Sequence, residues 1–279
     1  MIPQTLAETV PEPTVLVAPR EVRMPPRQFT GVVLHLVKRE LDSTHRLTVL
    51  GWAWPVLRQV SQLVILVFIF GDVLNLGIPH FPVYVFSGLL SWTWFSSGIS
   101  AATTSLLDQR YLLFQPRFPA TVIPIVAIAF PLVDLVVALP LLLVMAVLEE
   151  GVHWTVLLLP LLIVLQFVLM AGLAWFLSTA TVFLRDVPNI VTVSLIGLFY
   201  MTPVFYRLSH LKNTTYTHIL DLNPLTTIVE DYRALLLGSH TEHMPDPWRF
   251  MYVIVFSVVM VAIGRWFFKR NAALLIDSL

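Results

Sequence analysis

Apolar residues in this chain follow two patterns. Between 28 and 47 they recur every three or four positions, at Phe29, Val32, Val33, Leu36, Val37 and Leu41, with Lys38, Arg39, Asp42, His45 and Arg46 between them. That spacing predicts one amphipathic helix. Just ahead of a spanning segment, such a helix is expected in the membrane interface, apolar face in lipid and basic face toward headgroups. A helix packed on protein is the alternative. Beyond it the apolar runs are nearly unbroken. Six read as spans, at 54–74, 83–106, 122–148, 155–183, 190–205 and 248–268, a crossing helix needing about 20 residues. The fifth is short. A further apolar run, 219–237, is interrupted by Asp221, Asn223-Pro224, Glu230, Asp231 and Arg233. Bare in lipid, a broken helix would leave backbone groups unsatisfied. The segment is therefore expected to pack within protein as a re-entrant or half-inserted helix pair, an ordinary external hairpin being the alternative.

The predicted fold is thus an all-α polytopic membrane protein. A tail, 1–27, carries Pro3, Pro11, Pro13, Pro19, Pro25 and Pro26 and has no apolar core of a signal peptide. It is expected to be extended or disordered and cytoplasmic. The interface helix, 28–47, and a transmembrane domain, 48–279, follow.

Composition supports the membrane reading. The chain of 279 residues is 57% hydrophobic and only 12% charged, where soluble domains carry about 25%. Without cysteine, disulfides and thiolate metal sites are excluded. A net charge of zero gives no electrostatic case for nucleic acid. With the N-terminus inside, thirteen Lys and Arg fall on the inner side and four on the outer. This bias places both termini in the cytoplasm.

Candidate chemistry is sparse. No G-x-x-x-x-G-K-[ST] run occurs, so the chain does not cradle ATP phosphates itself. The connection 108–123 holds Arg110, Tyr111, Phe114, Arg117 and Phe118. Arg and aromatics carry interface energy, but they also anchor helices at membrane boundaries. Arg185-Asp186 suits a tight turn after the fourth span. Arg58 and Gln62 share a face at the start of the first span. They line a polar mouth, or Arg58 snorkels to headgroups. Trp52, Trp54, Trp92, Trp94, Phe95, Phe199 and Tyr200 are either interfacial belts or stacking surfaces for sugar rings. Trp92 and Trp94 fall too deep for a belt. Asp134, alone within the third span, is expected to be buried and hydrogen-bonded. His240 and His243 make a weak metal pair.

The order "FLRDVPNIV", "TPVFY" and "LNPLTTIVEDYRALLLG" between 183 and 238, with an "RFP" turn before the third span and "LGWAWP" before the first, resembles the permeases of ABC-2 type exporters. Within them it is most similar to the polysaccharide and teichoic-acid branch. Pro188, after the Arg-Asp pair, departs from that pattern.

The resemblance implies a homodimer around a channel, bound to two copies of a separate ATPase. The ATPase would hold the Mg-ATP, and this chain would need no cofactor. The implied substrate is a polyisoprenyl-pyrophosphate-linked glycan of galactan, O-antigen or teichoic-acid type, exported across the inner membrane. Implied coupling residues are Arg110, Tyr111, Phe114, Arg117, Phe118, Arg185 and Asp186. Channel residues would be Trp52, Trp54, Arg58, Gln62, Trp92, Trp94, Phe95, Phe199 and Tyr200. Pro203, Tyr206, Asn223, Pro224, Glu230 and Arg233 would form an outer gate. An ABC-2 permease for a small hydrophobic drug or lipid is the second reading. A polytopic membrane enzyme is a third, though it lacks clustered acids or a His/Asp/Ser group at one depth.

Overall fold

The computed structural model describes residues 25–45, 51, 53–74, 77–115, 118–150, 154–207, 220–237 and 247–277. Most of the tail, Trp52, Arg117, His240 and His243 lie outside these residues. Among them the structure is helical, with no strand. The helices are α1 (Pro26–His45), α2 (Ala53–Leu66), α3 (Phe81–Asp108), α4 (Arg110–Leu113), α5 (Val122–Glu150), α6 (Leu159–Phe183), α7 (Val187–Met201), α8 (Pro224–Leu237) and α9 (Pro247–Asp277). A π-helix, Val67–Val73, continues α2, and a 3₁₀ turn, Trp154–Leu158, leads into α6.

Four helical stretches are long and apolar enough to cross a membrane: Ala53–Val73, Val122–Glu149, Trp154–Phe183 and Pro247–Ala272. The two other expected spans differ for physical reasons. α3 has 28 residues, but nine of them are Ser or Thr, which lowers its hydropathy. α7 has 15 residues, about 22 Å at a helical rise, short of the roughly 30 Å hydrocarbon core. It stops at Met201 because Pro203 follows and the extended Thr202 disfavours further helix.

α3 is the centre of the bundle. It packs against α5, α6, α7 and α8, and every residue from Val83 to Trp92 is buried. Its hydroxyls cause no penalty where they have partners. Ser91 Oγ donates to Gln166 Oε1 (3.1 Å), and Gln166 Nε2 donates to the Ser91 carbonyl (2.9 Å), tying α3 to α6. Trp94 Nε1 donates to the Ile128 carbonyl of α5 (3.1 Å). Trp175 Nε1 donates to the Thr121 carbonyl (3.0 Å) at the start of α5. α6 and α9 make the most extensive helix pair, and they meet backbone to backbone at Gly172 and Gly264.

The amphipathic helix rests its apolar stripe on the bundle. Leu36 and Val37 bury themselves with Val122 and Val126, and Phe29, Val32, Val33 and Leu41 pack around them. The apolar stripe of α1 is thus covered by α5.

Candidate functional site

Three groups of expected site residues can be placed. The first surrounds α4, a single turn after α3. Leu112 and Leu113 are buried and hold the turn to the bundle, while Tyr111 and Phe114 are each 50% exposed. Arg110 is exposed beside them. Arg39 Nη2 of α1 donates to Tyr111 Oη (2.9 Å), so α1 braces this turn. Phe118 is half-buried between α1 and the main core. The result is a small aromatic and basic knob on an apolar base. Arg185 and Asp186 are exposed in the turn joining α6 to α7, and the Asp186 carbonyl accepts from the Ile190 amide (3.1 Å).

The second group is a connected set of rings. Phe95 and Trp92 of α3 lie with centroids 5.9 Å apart, and Trp92 meets Phe199 of α7 at 5.5 Å. Phe199 meets Tyr200 at 5.4 Å and Phe205 at 5.8 Å. Phe205 stacks on Phe70 of the π-helix at 4.7 Å and touches Tyr206 at 5.5 Å. Four of the rings named from sequence, Trp92, Phe95, Phe199 and Tyr200, are thereby joined. Phe70 and Phe205 were not singled out, because a phenylalanine in an apolar run carries no local signal. Trp94 points the other way, into α5, and stacks on Phe167 of α6 at 6.5 Å. Trp54, Arg58 and Gln62 sit on the exposed side of α2. Gln59, between them, is the buried polar residue of that helix.

The third group lies at the opposite end of the bundle from α4 and draws all six expected gate residues together. Asn223 caps α8: its Oδ1 accepts from the Leu225 amide and its carbonyl from the Thr226 amide, both at 3.0 Å. Pro224 follows at the first helical position, where its missing N–H costs nothing. Asn223 Nδ2 donates to Thr202 Oγ1 (3.0 Å), beside the buried Pro203. Arg249 of α9 bridges Asp221 Oδ2 (2.9 Å) and Glu230 Oε2 (3.1 Å).

Arg233 is the centre of this end. It is 2% exposed. Its Nε donates to the Tyr84 carbonyl of α3 (3.1 Å) and its Nη2 to the Val204 carbonyl after α7 (2.6 Å). Its guanidinium carbon lies 3.7 Å from the centre of the Tyr84 ring, a close cation–π contact. Gly88 makes room for it, since an added Cβ would stand 2.8 Å from Arg233 Nη2. Tyr84 Oη donates to the Tyr206 carbonyl (2.9 Å), and Tyr206 Oη donates to the Tyr200 carbonyl (3.0 Å). Burial, with Tyr84 close by, raises the Tyr206 phenol above its ordinary range, so it remains a donor. α8 itself is buried from Leu225 to Val229 and from Asp231 to Leu237, as expected of a segment packed in protein. Ile219, the first residue of the expected helix pair, lies outside the described residues.

Asp134 is half-buried on α5 and engaged there. Among the described residues no group of three His, Cys, Asp or Glu side chains could hold a metal ion.

A membrane bundle of this kind, with a braced aromatic knob at one end and a locked helix at the other, fits a transport subunit. The ABC-2 type transporter family pattern matches residues 32–237, and the chain belongs to that family. Among its relatives is the O-antigen export system permease protein RfbA of Myxococcus xanthus, 32% identical over 236 residues, which cover 84% of this chain and 90% of that one. The protein of the same name from Klebsiella pneumoniae is 23% identical over 239 residues, again 84% and 90% of the two chains. The polysialic acid transport protein KpsM of Escherichia coli is 24% identical over 234 residues, 82% of this chain and 89% of that one.

Proposed function

We propose that this chain is the membrane subunit of an ATP-driven polysaccharide exporter. The observation that carries the reading is the run of rings from Phe95 through Trp92, Phe199 and Phe205 to Phe70 and Tyr206. Trp92 and Phe95 are buried in this arrangement, so the run would become a surface only as the bundle opens. Aromatic faces then stack on the C–H patches of sugar rings without demanding one sequence of sugars, which suits a polymer sliding past. The names of the relatives point to the same class of cargo.

In this reading the chain works as a homodimer with two copies of a separate ATPase that bind Mg-ATP. The α4 knob and the Arg185-Asp186 turn meet the motor. Both termini are cytoplasmic, in keeping with the thirteen-to-four charge bias, in the inner membrane. The substrate is a glycan on a polyisoprenyl pyrophosphate, of galactan, O-antigen or teichoic-acid type. Motor closure pushes on α4, the bundle rocks, and the α8 end opens as the outer gate.

Depletion of the chain in living cells tests this. Lipid-linked glycan is expected to accumulate on the cytoplasmic side, and an ATPase is expected to co-purify with the tagged chain. Unchanged lipid-linked glycan after depletion would remove the export reading.

A further inference from the structure

α3 carries an unusual face. Thr93, Ser97, Ser100, Thr104 and Asp108 succeed one another at four- and three-residue steps and so form one stripe. They are half-buried or exposed, on a helix whose other faces are mostly buried. Opposite stand the first turns of α7. Between the two helices lies a cleft of about 370 Å³, lined by Ser97, Ser100, Thr103, Thr104, Pro188 and Thr192 among others. Ligand-binding clefts run roughly 300–1,000 Å³. Farther along, the same two helices meet at the Trp92–Phe199 contact, so the cleft leads to the aromatic run.

The hydrogen-bond directions in this cleft are informative. Ser97 Oγ donates to the Thr93 carbonyl (2.6 Å), and Thr103 Oγ1 donates to the Ile99 carbonyl (2.7 Å). Thr192 Oγ1 donates to the Pro188 carbonyl (2.9 Å), and Thr104 Oγ1 donates to Asp108 Oδ2 (2.6 Å). A hydroxyl has one proton and two lone pairs. These four have used their protons within their own helices. What they offer to the cleft is lone pairs.

We propose that this cleft holds a neutral, hydroxyl-rich stretch of the glycan and selects against anionic segments. Sugar hydroxyls donate to such a wall. Phosphate and carboxylate groups only accept; of the lining hydroxyls only Ser100 keeps its proton uncommitted, so an anion would be desolvated mostly against lone pairs. Acyl chains would leave the same lone pairs without donors. The proposal rests on the reading that α3 and α7 border the export path.

The chain has no cysteine, so Ser100→Cys introduces a unique thiol. The full-length variant, in membrane vesicles, is labelled with a charged thiol reagent. Labelling is expected to proceed readily, and a neutral oligohexose is expected to slow it several-fold. A sialic acid oligomer or inorganic pyrophosphate at equal concentration should leave the rate unchanged. Val258→Cys, on the exposed side of α9, is the control that should stay unreactive. Equal protection by the anions, no protection by the neutral sugar, or a thiol at position 100 as inert as the control would each overturn the proposal. Protection by a neighbouring copy would appear as inertness reversed by dilution in detergent, and would overturn it as well. If the first variant fails to fold, Thr192→Cys on the facing wall gives the same readout. The measurement needs no export. Loss of protection with intact glycan accumulation on depletion removes the cleft assignment alone, while protection without accumulation removes the export reading alone.

Discussion

Gly172 of α6 and Gly264 of α9 meet without side chains between them. A Cβ built on Gly264 would overlap the Gly172 carbonyl, and one on Gly172 would overlap the backbone of Met260. The two helices therefore approach as closely as backbones permit, in the small-residue manner favoured where lipid supplies no hydrophobic drive. Gly264→Ala must push them apart. It is expected to cost roughly 1–3 kcal/mol, in the range of overpacked cores, and to lower the thermal midpoint of the detergent-solubilised protein. Gly31→Ala is the matching control. Nothing lies within 4 Å of its added Cβ, and it should be neutral or slightly stabilising in α1.

Arg233→Lys keeps the charge but loses the fork. A lysine cannot reach the Tyr84 and Val204 carbonyls in the same geometry. Each lost bond to a charged donor is expected to cost about 1.5–3 kcal/mol. Hydrogen exchange should quicken both in α8 and around Val204. Exchange unchanged in both places would mean that Arg233 does not clasp the two segments.

Asn223 serves two partners, and two variants separate them. Asn223→Ala loses the cap and is expected to cost about 1 kcal/mol, with faster exchange at the Leu225 and Thr226 amides. Asn223→Asp keeps the cap acceptor but loses the donor to Thr202. It should protect those amides while loosening the link to the end of α7.

Tyr111→Ala with Phe114→Ala removes the exposed rings of α4 and leaves Leu112 and Leu113 in place. The variant should fold and insert normally. Glycan export should fall sharply, while the partner's basal ATP hydrolysis persists. Full export in the double variant would sink the assignment of this turn to the motor contact.

What the sequence made legible was local. Asn223-Pro224, read as an interruption of the apolar run, is the start of α8, and a cap of this kind is written in adjacent residues. The expected span at 190–205 runs past Met201, where α7 ends ahead of Pro203. The spans other than α3 and α7 followed from run length alone. The remainder depended on which face of a helix meets which neighbour. The apolar stripe of α1 would look the same whether it met lipid or α5. Trp92 and Trp94, two residues apart, point to different partners, and no composition rule separates them. Gln59 rather than Gln62 is buried, because α2 turns that face toward its neighbours. The hydroxyl face of α3 was lost in an averaged hydropathy that counts its Ser and Thr only as a weaker span.

The Arg39–Tyr111 bond makes α4 a braced joint rather than a hinge. α4 hangs from α3 through the single residue Gln109, while Tyr111 is tethered to α1 and α1 is packed on α5. A load applied at α4 thus divides at once between two long members, one through the Gln109 link and one through the α1 strut. Under the proposed motor contact, a bundle loaded in this way would tilt α3 and α5 together instead of bending the connection between them. Cutting the strut, with Arg39→Ala for instance, should leave a motor that still pushes but mainly flexes the joint.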